Sequence, residues 1–295
     1  MEYGICLPYM ERDYGRSEIL DWCRRIDAGP FASLSCGERI TGYTLEMRTL
    51  LSAAAAVTER VRIMPSLYVL PMHSAVWAAK EVATLDVLSG GRVTLTVGVG
   101  GRPKDYESVG APFARRHQRM DEQVALMRRI WAGEPAVEGA DPVGPNPIQA
   151  GGPPILAGAM GPKAIRRAAE WADGIYAFSM NGQPDEIATM FETAEAAWKD
   201  AGRDAPPRRV GGFWYSLAQD SERRLREYVE MYLGTLGPEI ARAIAGTMTR
   251  HDADAVLESI RGIEAVGCDE LMLVPATADA VEVDAAAELV AAIGC

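Results

Sequence analysis

The sequence predicts an α/β fold, a single closed (β/α)8 barrel, and three observations carry that reading. Eight short apolar runs alternate with amphipathic helices along the chain. The runs are mostly continuous in their apolarity, as parallel strands covered on both faces require. No low-complexity segment or long linker divides the 295 residues, a length that a barrel reaches as one domain. One domain over residues 1–295 is therefore expected.

In order, Tyr3–Pro8 reads as the first strand. Ser17–Asp27 follows as a helix, with Ser17 as N-cap and Leu20, Cys23 and Ile26 on one face. Phe31–Cys36 is a strand, Leu45–Thr58 an alanine-rich helix and Val61–Leu70 the third strand. Pro65 inside that strand removes a ladder N–H, which suggests either a bulge or a strand edge. Val76–Leu88 is a helix stopped by Ser89-Gly90-Gly91, and Arg92–Val99 is the fourth strand. Arg115–Trp131 is a long helix, and the prolines of Gly133–Pro154 make that stretch a loop. Ile155–Ala157 is the fifth strand and Pro162–Ala172 its helix, with Pro162 in the first turn. Gly174–Phe178, Val210–Leu217 and Glu270–Val274 are the last three strands. Pro184–Ala201, Glu222–Leu233, Ala253–Val266 and Ala280–Ile293 are the remaining helices.

Composition narrows the function. With 30 Lys+Arg against 41 Asp+Glu the formal charge is −11, which argues against a nucleic-acid partner. The opening residues lack a basic segment followed by an apolar run, and Leu50–Val57 is too short to span a bilayer. A cytoplasmic protein is expected. Cys6, Cys23, Cys36, Cys268 and Cys295 are scattered and odd in number, so a disulfide framework is not expected. His73, His117 and His251 have no metal-ligand spacing, and no metal site is expected. Cys36, near a strand end, is the thiol to examine.

Barrel chemistry sits on the loops after the strand C-termini. After the fourth strand, Gly98-Val99-Gly100-Gly101 either lets a flat ligand or phosphate approach the backbone or is only a tight turn. After the fifth, Ala157–Pro162 either offers backbone N–H groups to an anion or is an ordinary strand-to-helix turn. Phe178-Ser179-Met180-Asn181-Gly182 could give donors to the same anion. Glu38-Arg39 puts a charged pair at the barrel mouth, as a site element or as a solvated ion pair.

Three blocks resemble the bacterial luciferase-like monooxygenase superfamily, which includes deazaflavin-dependent oxidoreductases. Thr58–Gly110 carries LPMH, AKEVATLD, LSGGR, and GVG followed by an acidic-aromatic pair. Ile155–Ile175 (ILAGAMGPKAIRRAAEWADGI) resembles the family's phosphate-loop helix, and Gly267–Pro275 (GCDELMLVP) its final strand. The resemblance implies a luciferase-like TIM barrel that uses coenzyme F420 or FMN. It implies that Ser66-Leu67 is the third-strand bulge behind the cofactor ring, often with a non-prolyl cis peptide. It places Gly98 and Gly100 at the ring edge. Gly158, Ala159, Met160 and Gly161 would hold the cofactor phosphate, with Phe178 and Ser179 closing that site. Glu38 falls where many members have an acidic residue.

Two positions depart from the family. Arg39 stands where many members place a histidine, and arginine cannot exchange a proton near neutral pH. Gly101 stands where some deazaflavin members carry a glutamate. Glu38, Asp105 and Tyr106 remain as proton-transfer candidates, with Arg39 as an electrostatic partner of cofactor or substrate. The leading expectation is hydride transfer between F420 and a small organic substrate. The alternatives are an FMN-dependent monooxygenase fed by a partner flavin reductase, a non-catalytic flavin-binding homologue, and a barrel enzyme using Gly158–Gly161 for a substrate phosphate. A homodimer through the two alanine-rich helices is expected, with the same faces packing on the barrel as the other possibility.

Overall fold

In a computed structural model that describes residues 1–293, eight parallel strands close into a barrel in chain order, the last pairing with the first. They are β1 (Glu2–Cys6), β2 (Ser33–Cys36), β3 (Arg62–Tyr68), β4 (Leu95–Val97), β5 (Ile155–Gly158), β6 (Gly174–Tyr176), β7 (Arg208–Tyr215) and β8 (Glu270–Pro275). Around them lie α1 (Arg16–Ala28), α2 (Met47–Val57), α3 (Ala75–Ser89), α4 (Pro103–Ser108), α5 (Arg116–Trp131) and α6 (Pro162–Ala168). The ring is completed by α7 (Pro184–Asp200), α8 (Ser221–Leu233), α9 (Pro238–Ala245), α10 (Ala253–Ala265) and α11 (Val281–Ile293). Cys295 lies outside the described residues. No described helix is long and apolar enough to cross a membrane.

The expected elements are present, with four differences. Ser17 is not the N-cap of α1: Gly15 takes that place, its N–H donating to Glu18 at 3.1 Å, while the Ser17 hydroxyl turns to the same carboxylate. The helix after β5 stops at Ala168, short of Ala172. Two short helices, α4 and α9, are additional to the expected elements. The third strand ends at Tyr68 rather than Leu70, and Leu70–Met72 form a single 3-10 turn.

Strand register sorts the barrel interior into layers. At the floor, buried Glu270 meets Arg62 at 2.9 Å and Arg208 at 2.8 Å, and both arginines also reach Glu2. Ser33 donates its hydroxyl to Glu270. Above this plug Met64, Leu156, Tyr176, Val210 and Met272 pack as an apolar plate. At the upper end β3 is irregular. Its pairing with β4 steps from Ser66↔Thr96 to Tyr68↔Val97, leaving Leu67 out of register. This is the bulge that Pro65 anticipates, and the Ser66–Leu67 peptide is cis.

Candidate active site

A cavity of about 270 Å³ opens at the C-terminal end of the barrel, close to the lower end of the roughly 300–1,000 Å³ usual for small-molecule sites. One wall is β3 and the glycines beside it. Ser66 and Leu67 line it, and the Ser66 hydroxyl is buried without a hydrogen-bond partner. Leu67 fits because its neighbours lack side chains. A Cβ on Gly98 would lie 2.7 Å from Leu67 Cδ1, and one on Gly158 would run into the same side chain. Gly100, at φ +59°, turns the chain where a Cβ would meet Val69 at 2.8 Å. The glycines after β4 and β5 thus accommodate a side chain of this protein, which in turn lines the cavity.

Beside this wall stands Glu38. Its Oε2 accepts from the N–H of Val69 at 2.7 Å, and its Oε1 lies 2.8 Å from His73 Nε2. The carboxylate is 4% exposed and the imidazole 12%. His73 is fixed in turn by Gln123, which donates to its carbonyl at 2.7 Å, and by Tyr68, whose ring meets it edge-on at 4.9 Å. Asp105 also lines the cavity, but its oxygens hold the β2–α2 loop, accepting from the Thr41 hydroxyl, Thr41 N and Ile40 N.

The opposite wall is aromatic. Phe178 meets Trp214 at 5.2 Å, and Trp214 meets Tyr232 at 4.9 Å and Tyr228 at 5.9 Å, all near edge-on. Tyr228 and Tyr232 face the cavity together because they are four residues apart on α8. Arg102 lines the cavity at the tip of the β4–α4 loop, its guanidinium 5.5 Å from the Tyr232 ring centre and donating to the Tyr232 carbonyl.

Burial decides which groups can carry a proton here. It pushes the Cys6 thiol up to about 11 and Cys36 well above its ordinary value. Cys36 is fully buried and is no nucleophile. Tyr106 is raised to about 12 by burial, its hydroxyl donating to Val99 O at 2.6 Å. The buried thiols and Tyr106 thus stay protonated at neutral pH, and the Glu38 carboxyl with the His73 imidazole beside it lies in the same wall.

Of the residues singled out in the sequence, Glu38, Asp105, Ser66, Leu67, Gly100, Gly158, Met160 and Phe178 border the cavity. Arg39, Gly98, Ala159, Gly161 and Ser179 do not line it. The Ser179 hydroxyl donates to Glu186 at 2.6 Å and accepts from Gln183 N at 2.8 Å, so it serves the start of α7. Sequence reasoning missed His73, Arg102 and the Trp214–Tyr228–Tyr232 wall. His73 lies within the LPMH motif, and the i, i+4 tyrosines of α8 were legible as a pair.

Comparison with known proteins is consistent with this geometry. The family model for luciferase-like monooxygenases matches residues 1–270. An uncharacterised protein of Mycobacterium tuberculosis is 32% identical over 176 residues, 55% of this chain and 57% of that protein. The pyrimidine monooxygenase RutA of Allorhizobium ampelinum is also 32% identical over 176 residues, 55% of this chain and 47% of the relative. The chain thus matches about half the length of these curated relatives. The solved structure of an F420-dependent secondary alcohol dehydrogenase, in complex with an F420–acetone adduct, superposes with a TM-score of 0.78 at 18% identity, covering 99% of each chain.

Proposed function

We propose, from the premise that this chain belongs to the luciferase-like monooxygenase family, that it transfers hydride between coenzyme F420 and a small organic substrate. The observation that carries the reading is the Glu38–His73 pair, a buried carboxylate with an imidazole behind it in the wall of the cavity. Hydride removal from an alcohol leaves a hydroxyl proton to be taken up, and this pair is built to take it.

The residues suit a flat, polar-edged ring. The unpartnered Ser66 hydroxyl can bond a ring edge, Leu67 gives an apolar face, and Gly100 and Gly158 keep the backbone uncovered. When bound, F420 supplies a ring carbon that gives or accepts hydride and reacts poorly with oxygen; the protein supplies position and exclusion of water. In this reading Gly158, Ala159, Met160 and Gly161 hold the phosphate end through backbone N–H groups, and Phe178 borders the ring. Ser179 supports that loop through Glu186 rather than by direct contact. Glu38 accepts the substrate proton while His73 and the Val69 N–H hold the carboxylate in place. Asp105 positions the β2–α2 loop, and Arg39 contributes positive charge within it.

A second reading, an FMN-dependent monooxygenase with a partner flavin reductase, is favoured by the match to RutA. Under either, a homodimer through α2 and α3 would cover Trp77, which is 63% exposed on α3. Anaerobic assay of F420 reduction against a panel of primary and secondary alcohols tests the proposal. Turnover supports it. Oxygen-dependent turnover with reduced FMN alone gives the second reading, and cofactor uptake without any turnover gives a non-catalytic homologue.

A further inference from the structure

Arg102, which lines the cavity, and Arg39, in the loop after β2, have no carboxylate partner among the described residues. Arg102 uses one nitrogen on the Tyr232 carbonyl, and its other terminal nitrogen is buried without a hydrogen bond. Arg39 Nε is likewise buried and unpartnered, and its guanidinium folds back over Gly42, where a Cβ would lie 3.2 Å from it. The nearby carboxylates are already engaged, Glu38 by His73 and Val69, Asp105 by Thr41 and Ile40. Because Asp105 lies on α4 directly after Arg102, its bonds to Ile40 and Thr41 tie the Arg39 loop to the Arg102 loop.

A buried donor on a charged group is costly unless a partner arrives. Arg102 faces the same cavity as an apolar aromatic wall, Phe178, Trp214, Tyr228 and Tyr232, and packs on the last of these. We infer that Arg102, assisted by Arg39, recognises an anionic group on an aromatic substrate, a ring carboxylate or phenolate, with the ring against Trp214 and Tyr232. Arginine suits this role because its planar fork meets a carboxylate with two hydrogen bonds. Electrostatics agree: burial first, and Arg39 next, lower the Arg102 pKa, so an incoming anion relieves both costs. The inference extends the oxidoreductase reading, resting on it for the chemistry but not for binding.

The test is calorimetric titration with 2-naphthoate and its neutral amide, 2-naphthamide, in the protein alone and in protein saturated with F420. Naphthoate is expected to bind about tenfold tighter than the amide. Arg102→Met and Arg39→Met should each pull that ratio towards one, whereas Arg102→Lys keeps part of it. Inorganic phosphate should not displace naphthoate. Equal affinity for acid and amide, or a ratio unmoved in both methionine variants, would overturn the inference. Displacement by phosphate, with weaker F420 binding in both variants, would also overturn it and assign the arginines to the cofactor. A naphthoate preference in protein that fails to bind F420 would uphold the anion site and sink the hydride reading instead.

Discussion

In the proposed reaction Glu38 takes the substrate proton, and two neighbours hold its side chain in place. One neighbour is the backbone N–H of Val69, which donates to it, and the other is the His73 imidazole. Glu38→Gln keeps the shape and removes the base, so kcat should fall by about 10²–10⁴-fold with F420 affinity unchanged by fluorescence titration. His73→Ala leaves the carboxylate in the cavity but removes its support. A loss of about 10–100-fold is expected there, the range for outer-shell partners, with an altered pH profile of kcat as the readout that distinguishes support from simple packing. Glu38 was legible in the sequence as an acidic residue at a strand end. His73 was not, because 35 residues separate the pair and only the kinked end of β3 brings them together.

At the scale of elements, β3 and its glycine neighbours form one unit. The step in register at Leu67 and the bare backbones of Gly98 and Gly158 are complementary. Gly98→Ala should push the Leu67 side chain, whose far end is free to move, into the cavity. Cofactor affinity should fall about tenfold while the melting temperature changes little, a comparison that titration and thermal denaturation make directly.

Helix α2 offers a test of another kind. Glu46 caps it, accepting from Thr49 N at 2.7 Å and Arg48 N at 3.2 Å and pairing with Arg48 at 2.6 Å. Burial raises its pKa, but the Arg48 and Thr49 bonds outweigh that and bring it to about 2. A carboxylate depressed in the folded state stabilises above its unfolded pKa, and the contribution is lost as pH falls through the folded one. Glu46→Ala should therefore cost about 1 kcal/mol at pH 7, with the gap to wild type closing between about pH 4 and pH 2 in thermal denaturation.

Strand runs were readable because each is a continuous apolar stretch, as burial on both faces demands. The helices α4 and α9 were missed because six and eight residues are too few for a helical period to show. Their real signal is the proline at the first helical position, Pro103 and Pro238. Ser17 misled because its hydroxyl goes to Glu18 while Gly15 begins the helix.

Over the whole molecule the barrel divides into a sealed floor and a chemical mouth. Glu270 is fully buried between Arg62 and Arg208, with Ser33 completing its bonds. Arg62 and Arg208 are partly exposed and keep Glu2 as a partner, so Glu270→Ala should lose about 1–3 kcal/mol of stability, the cost of its charged hydrogen bonds. Residual folded protein should still bind cofactor normally, because floor and mouth are separated by the Met64–Met272 plate. Denaturant unfolding and titration on the same sample would separate the two effects. In the proposed function the cavity at the mouth receives a deazaflavin ring against Ser66–Leu67. Parallel titrations with F420 and with FMN, followed by fluorescence, test it most directly. Low-micromolar binding of F420 with little uptake of FMN is the predicted result, weakened in Gly98→Ala; binding of neither cofactor would contradict the account.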